Sequence, residues 1–427
     1  MNVSYKVKYY LREMVKYTPL YQSIYRNIKI KESKEQQSKK VREIIAYAIK
    51  NVPFYSNYSS YLKDDFNIKR LPIIHKEDIV KSGELMVSRK YNKGRLLMVS
   101  TGGTTGPSVN IYQSFKDSVM SSAYVDFCFS LLGKDLVICS IREHDLRENE
   151  DYSFFGNRLM LAPNKINANT IEHYISLMKK YNINCLHVYP SSLHALCKLI
   201  EKKYGDKVLD LPIKGIYVSS EIFSDEVKTL AKKIFPKATI LNFYGQTELV
   251  GMAIGIDFEP IQFIGSFSYV ELIEVNVQQN GNRIAEIVCT GFKKSMPLIR
   301  YATGDYVEID TAGNIKSIIG RTSDFLIGKN GEVIPCIIVN REDTMKNVIL
   351  VQYYQDEPGK FIYNIVGNEN FGIDDIKAIN EDINLNFGNI LEGKIVQVDH
   401  IEKTKRGKHR KIIQKLDVNY YLNKQQY

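Results

Sequence analysis

Tryptophan is absent from this chain and cysteine is sparse. The six cysteines, Cys128, Cys139, Cys185, Cys197, Cys289 and Cys336, include no C-x-x-C pair. That spacing suggests neither a zinc site nor a disulfide framework. Apolar neighbours make each thiol a candidate for burial, and a reducing, cytoplasmic setting fits. Long hydrophobic runs are also lacking. None approaches the ~18 residues that a membrane span needs, so no transmembrane segment is expected. Met1-Asn2-Val3-Ser4-Tyr5-Lys6 lacks the apolar stretch of a signal peptide. No internal repeat or low-complexity segment is evident. Positive charge exceeds negative by ten, but the lysines are dispersed. There is no basic–aromatic platform and no zinc-finger spacing, and nucleic acid is not expected as a partner.

What is present is the composition of a globular protein, 44% hydrophobic and 25% charged over 427 residues, long enough for two or three domains. Ser38 to Lys50 places Val41, Ile44, Ile45, Ala48 and Ile49 at helical spacing, and Pro53 ends that helix. From Leu96 to about Gln262, apolar strand-like runs (Val137 to Ser140, Leu186 to Tyr189, Gly215 to Val218, Thr239 to Phe243) alternate with helical patterns such as Ile171 to Tyr181 and Asp225 to Phe235. The alternation predicts an α/β layer with a largely parallel sheet. Residues 263–320 read as short strands between turns, a β-rich subdomain. Residues 321–427 read as a small α+β domain. The expected organisation is therefore a domain over 1–320 (helical lead-in 1–85, α/β core 86–262, β-rich subdomain 263–320) followed by 321–427.

Five stretches carry candidate chemistry. Ser100-Thr101-Gly102-Gly103-Thr104-Thr105-Gly106-Pro107 follows a short apolar strand. Its glycines and hydroxyls could surround phosphate oxygens, although no lysine follows Gly106 as a Walker A loop requires. Asn242-Phe243-Tyr244-Gly245-Gln246-Thr247-Glu248 ends an apparent strand, where a carboxylate is well placed for Mg²⁺ and an aromatic ring for a base. Pro297 to Asp305 ends on an acid that could accept from ribose hydroxyls. Gly320-Arg321-Thr322-Ser323-Asp324 falls at the expected domain boundary. Lys403-Thr404-Lys405-Arg406-Gly407-Lys408 could bring an ammonium to a developing charge. Taken singly, each reads as readily as a turn, a hairpin loop or a solvated tail. Together they form an ordered set.

In that order and spacing, the five stretches resemble the motifs of the adenylate-forming (acyl-AMP-forming) enzymes, within them the phenylacetate–CoA ligase-like, CapK-like branch. Val52-Pro53-Phe54-Tyr55 and Leu71-Pro72-x-x-x-Lys76-x-Asp78 are similar to that branch as well. The resemblance implies an α/β fold, with a large N-terminal adenylate-forming domain of parallel-rich sheets and a β-rich subdomain, and a small mobile α+β C-terminal domain. It implies ATP and Mg²⁺ as cofactors, a small carboxylic acid as substrate, and CoA as the default acyl acceptor. A homodimer is the assembly left open. Residue by residue, Ser100, Thr101, Gly102, Gly103, Thr104, Thr105 and Gly106 would hold the β,γ-phosphates. Ser220 and Glu221 would form the adenine-side loop, and Tyr244, beside Gly245, would stack on adenine. Thr247 would touch the α-phosphate and Glu248 would bind Mg²⁺. Asp305 and Arg321 would hold the ribose, and Lys408 would bridge the carboxylate and α-phosphate. The acyl pocket would lie near Ser140 to His144, Val188 to Leu193 and Val250 to Ala253. Departures from the family pattern are Pro107 after the phosphate loop, Ser323 at the hinge and Glu402 before the C-terminal motif. Alternatives are transfer of the acyl group to an amine, a sugar hydroxyl or a carrier-protein thiol, and a nucleotide-binding protein of this fold without catalysis.

Overall fold

A computed structural model describes residues 13–62, 66–100, 109–142, 150–205, 211–277, 281–321, 324–335, 347–402, 410–418, 420 and 421. The chain divides into two compact units that interleave along the sequence. One comprises 1–134, 241–273 and 286–304; the other comprises 135–240, 274–285 and 305–427.

The first unit opens with Pro19–Arg26 (α1), whose first turn is closed by the Thr18 hydroxyl, and Lys34–Asn51 (α2), capped by Ser33. Helix α2 buries Val41, Ile44, Ile45 and Ala48, the face its spacing predicts. Its end at Val52-Pro53 matches the breaker, and Tyr55 follows into the interior. There the Tyr55 hydroxyl donates to the Pro297 carbonyl and accepts from the Ile299 amide, both at 3.2 Å. Short helix Lys76–Ser82 (α3) is boxed by Asp78, which accepts from the His75 amide at 2.8 Å. Leu97–Ser100 (β1) and Asn110–Gln113 (β2) pair antiparallel in a two-stranded ladder of their own. The run Leu96 to Val99 is thus a strand, but outside the parallel layer: Leu97 and Met98 are 59% and 54% exposed, and no helix covers them as a parallel sheet demands. Phe115–Ser130 (α4) follows, with Ser114 and buried Asp117 forming a capping box.

The second unit holds the parallel layer. Its strands are Ile138–Ile141 (β3), Tyr152–Phe155 (β4), Arg158–Leu161 (β5), Cys185–Val188 (β6) and Gly215–Ser219 (β7), in the order β7-β6-β3-β5-β4. The β7–β6, β6–β3 and β3–β5 pairs are parallel, and the β4–β5 hairpin is antiparallel. Helices Ile171–Lys180 (α5), Pro190–Tyr204 (α6) and Asp225–Ile234 (α7) supply the crossovers. One core cluster runs from Cys139 through Tyr174, Leu186, Leu196 and Val218 to Ile240. Strand β7 is buried at all five residues, which is why its sequence is a continuous apolar run rather than an alternation.

Thr239–Gly245 (β8) carries the chain into the first unit, where it pairs antiparallel with Met252–Ile256 (β9), and β9 with Gln262–Phe263 (β10). The expected β-rich stretch is formed by Ser268–Val277 (β11), Arg283–Gly291 (β12), Tyr301–Ile309 (β13) and Ile315–Arg321 (β14). Ile74 bridges to Tyr301, so the lead-in segment lies along the start of β13.

After Phe325–Ile327 (β15) and Val333–Pro335 (β16), the C-terminal α+β layer has Val348–Glu357 (β17), Lys360–Gly367 (β18), helix Ile373–Phe387 (α8), Glu392–Gln397 (β19) and Ile412–Gln414 (β20). Its strand order is β19-β18-β17-β20, with Tyr353 and Tyr363 stacked 4.4 Å apart in a core that α8 joins through Ile379 and Ile383. Five cysteines are buried and none of these five is in a disulfide; Cys336 lies outside the described residues. No helix among the described residues is long and apolar enough to cross a membrane.

Candidate active site

In the first unit, strand β8 delivers Tyr244 and Gly245 to a turn, Gln246 to Leu249, closed by the Leu249 amide donating to the Gln246 carbonyl at 3.1 Å. Leu249 adopts φ +54°, a conformation a leucine rarely takes, so the turn is held by its surroundings. Two side chains do this. Gln113, at the end of β2, donates to the Thr247 carbonyl at 3.1 Å. Lys293, 1% exposed, donates to the Glu248 carbonyl at 2.5 Å. Both carbonyls of the Thr247–Glu248 pair are therefore pinned, which fixes the backbone that carries the hydroxyl and the carboxylate. The Glu248 side chain is 9% exposed and meets the Tyr301 hydroxyl at 3.5 Å. Burial pulls the Lys293 ammonium down to about 8, with Asp117 and Glu248 opposing. Tyr244 accepts a hydrogen bond from Gln246, and its ring sits edge-on to Phe263. A Cβ at Gly245 would lie 2.8 Å from the Phe243 ring, so any larger residue would displace that ring. Ser100 ends β1 and donates to Asn110 Oδ1 at 2.8 Å. Beneath these, Arg300 is clamped side-on by Glu271 (Nε–Oε2 2.9 Å, Nη2–Oε1 3.1 Å) and donates to the Lys69 and Leu71 carbonyls. The Pro297-to-Tyr301 segment is thus braced from Tyr55, Leu71 and Glu271.

In the second unit, Asp305 and Arg321 face each other across β13 and β14 and form an ion pair at 3.1 Å. The Arg321 amide donates to Asp324 Oδ2 at 2.7 Å. Desolvation raises the Asp324 carboxyl to about 6, against the pull of the Arg321 amide and guanidinium. Ser220 follows β7 with φ +74°. Glu221 accepts from the Ser191 amide at 3.0 Å, at the N-terminus of α6. Arg142, directly after β3, donates from Nη2 to Ser220 Oγ at 3.0 Å and bonds His187 Nε2 through Nη1 at 2.6 Å.

The structure thus joins Thr247 with Glu248 on one braced turn, and Asp305 with Arg321 on one ladder. It sets Ser220 and Glu221 at the C-terminal end of the parallel strands, where open α/β sheets bind ligands. Thr101, Gly102, Gly103, Thr104, Thr105, Gly106 and Lys408 lie outside the described residues, as do Pro107, Ser323 and His144. Gln113, His187 and Lys293 are what motif reading passes over; Arg142 falls within the expected acyl stretch Ser140 to His144 without being singled out. Lys293 stands beside Lys294 in the sequence, and nothing there separates the buried ammonium from its neighbour.

Comparison with known proteins follows this geometry. Residues 326–415 match the CapK C-terminal domain. Protein CapK of Staphylococcus aureus is 27% identical over 450 residues, covering 96% of this chain and 95% of that protein. A 2-hydroxyisobutyryl-CoA ligase, solved in the postadenylation state with R3-HIB-AMP, superposes with TM-score 0.66 at 13% identity over 93% of each chain. An anthranilate CoA ligase, AuaEII, solved with anthranoyl-AMP, gives 0.51 at 16% identity over 75% of this chain and 67% of that one. At such identities the likeness to solved structures is one of fold.

Proposed function

We propose that this chain, a member of the adenylate-forming enzymes in their CapK-like branch, activates a carboxylic acid as its acyl-AMP and passes the acyl group to CoA. The carrying observation is the Thr247–Glu248 turn, whose two carbonyls are held by Gln113 and Lys293 and whose carboxylate is met by the Tyr301 hydroxyl. Preorganised polar groups of this kind are worth most where charge develops in a transition state.

A carboxylate oxygen attacks the α-phosphorus of ATP, an acyl–phosphate bond forms, and the bond to the β-phosphate breaks with loss of pyrophosphate. The CoA sulfur then attacks the acyl carbon and AMP leaves. Thr247 meets the α-phosphate, Tyr244 stacks on adenine, Ser220 and Glu221 serve as the adenine-side loop, Asp305 and Arg321 take the ribose hydroxyls, and Ser100 to Gly106 hold the β,γ-phosphates. Glu248 fits Mg²⁺, since its carboxylate is an oxygen donor on a rigid turn, and Mg²⁺ takes one or two carboxylates with phosphate oxygens and water rather than a protein cage. Bound there, the ion would neutralise phosphate charge. Lys408 bridges the two reacting anions, and the 321–427 domain withdraws it by turning at Arg321–Asp324 before thiolysis.

The test is carboxylate-dependent exchange of pyrophosphate into ATP over a broad acid panel, then addition of CoA and assay of the thioester. Exchange without a thioester moves the acceptor to an amine, hydroxyl or carrier thiol. ATP binding without exchange by any acid overturns catalysis. In the same assay Lys408→Ala loses ~10²–10³ of adenylation while thiolysis of supplied acyl-AMP survives; equal loss in both half-reactions removes Lys408 from the first.

A further inference from the structure

Arg300, 6% exposed, and Arg142, half-buried, differ in how they are satisfied. Arg300 has its Nε–Nη2 edge filled by the Glu271 carboxylate. Arg142 has no carboxylate partner among the described residues. Its terminal nitrogens meet only neutral groups, His187 and Ser220, and its Nε is buried with no hydrogen-bond partner. An unmet buried donor is costly, the more so when it belongs to a charged group.

The surroundings hold this guanidinium in place. Tyr189, itself buried, lies under it at 4.9 Å. His187, on β6, offers the Nε2 lone pair and rests edge-on against Tyr217 at 5.0 Å. Ser220 reaches it from a strained left-handed conformation. The local acid that could have neutralised it, Glu221, is turned to the Ser191 amide instead. All of these residues sit at the C-terminal ends of β3, β6 and β7.

We propose that Arg142 is a specificity residue, and that the acid this protein activates carries a second carboxylate, which docks on the free Nε edge of Arg142. The inference rests on the acid-activation reading above. A planar carboxylate accepts from Nε and Nη2 together, as Glu271 does from Arg300. The second carboxylate stays unchanged while the first becomes the acyl phosphate.

Matched acids test this by pyrophosphate exchange: succinate against butyrate, glutarate against valerate, phthalate against benzoate. The wild type prefers the diacid in at least one pair, and Arg142→Leu lowers that diacid-to-monoacid ratio of kcat/KM by ~10–10²-fold. Arg142→Lys, which keeps the charge but not the side-on fork, restores part of it. Should Arg142→Leu not fold, Arg142→Gln carries the same ratio measurement. A wild type that exchanges with monoacids and ignores their diacids overturns the proposal, as does an equal loss for both acids of a pair. Absence of exchange with every acid instead overturns the acid-activation reading. Diacid protection of Arg142 from phenylglyoxal, absent with the monoacid, reads the docking step without turnover.

Discussion

Lys293 is the residue on which chemistry and stability meet most directly. A buried ammonium without a carboxylate clamp is costly, and this one is retained where it fixes the carbonyl of Glu248. Lys293→Met keeps the length and loses the hydrogen bond, so the Thr247–Glu248 turn loosens. Pyrophosphate exchange should fall ~10–10²-fold, with the loss in kcat rather than in the KM for the acid. The folded state binds this proton less tightly than the unfolded chain does. Below about pH 8 both states hold it and the burial cost is present in full; between about 8 and the ordinary lysine range that cost is released. Wild-type stability should therefore gain about 2–4 kcal/mol from this group as pH rises through that window, and Lys293→Met should lack the gain in urea melts at pH 7 and pH 10. Equal pH slopes for the two proteins would remove the assignment. Single residues of this kind were not legible in the sequence. Lys293 and Arg142 look like any of the other basic side chains until the fold closes around them, whereas Glu248 stood in a recognisable string.

Elements were more legible than their partners. The apolar runs at 137–140, 186–189 and 215–218 became β3, β6 and β7 within a residue or so, because a strand covered on both faces is written as uninterrupted hydrophobicity. The β4–β5 hairpin escaped notice, since Tyr152 to Leu161 mixes aromatic, polar and charged residues without a clean alternation. Helix α2 was readable from its buried stripe, but what Tyr55, beyond its C-terminus, does, bracing Pro297 and Ile299 more than two hundred residues away, is a long-range fact no window contains. At the end of β14, Gly320 takes φ +104° and a Cβ would meet Ile222 Cδ1 at 2.8 Å. Gly320→Ala should cost about 1–3 kcal/mol through strain and overlap together, read as a lower urea midpoint. Asp324 beside it holds its proton more tightly when folded. Its contribution is full below about pH 4 and is lost as pH rises through about 6. Asp324→Asn should flatten that part of the pH–stability curve, and an unchanged curve would place the carboxyl in water.

At the scale of the whole molecule, the Arg300–Glu271 pair is the brace with the widest reach, linking residues 69 and 71 to 271 and 300. Arg300→Met leaves Glu271 buried and uncompensated, and should cost about 3–5 kcal/mol, a loss visible as a much lower thermal midpoint. Tyr55→Phe, which removes one hydroxyl from the same segment, should cost about 1–2 kcal/mol. The fold class was readable from the alternation of runs and from the motif order. The division into units was hidden, because the chain crosses between the two five times. That interleaving bears on how the protein is made. The first unit cannot close until Gly304 has left the ribosome, long after its opening 134 residues have emerged. At ~5–20 residues per second the wait is about 10–30 s. Through that interval α2 can pack on the neighbouring Pro53–Leu62 segment, but its later partners, such as Phe292 against Lys40, are missing. The nascent chain thus waits with an unfinished unit, and slowing synthesis upstream of codon 304 should lower soluble yield more than slowing it downstream.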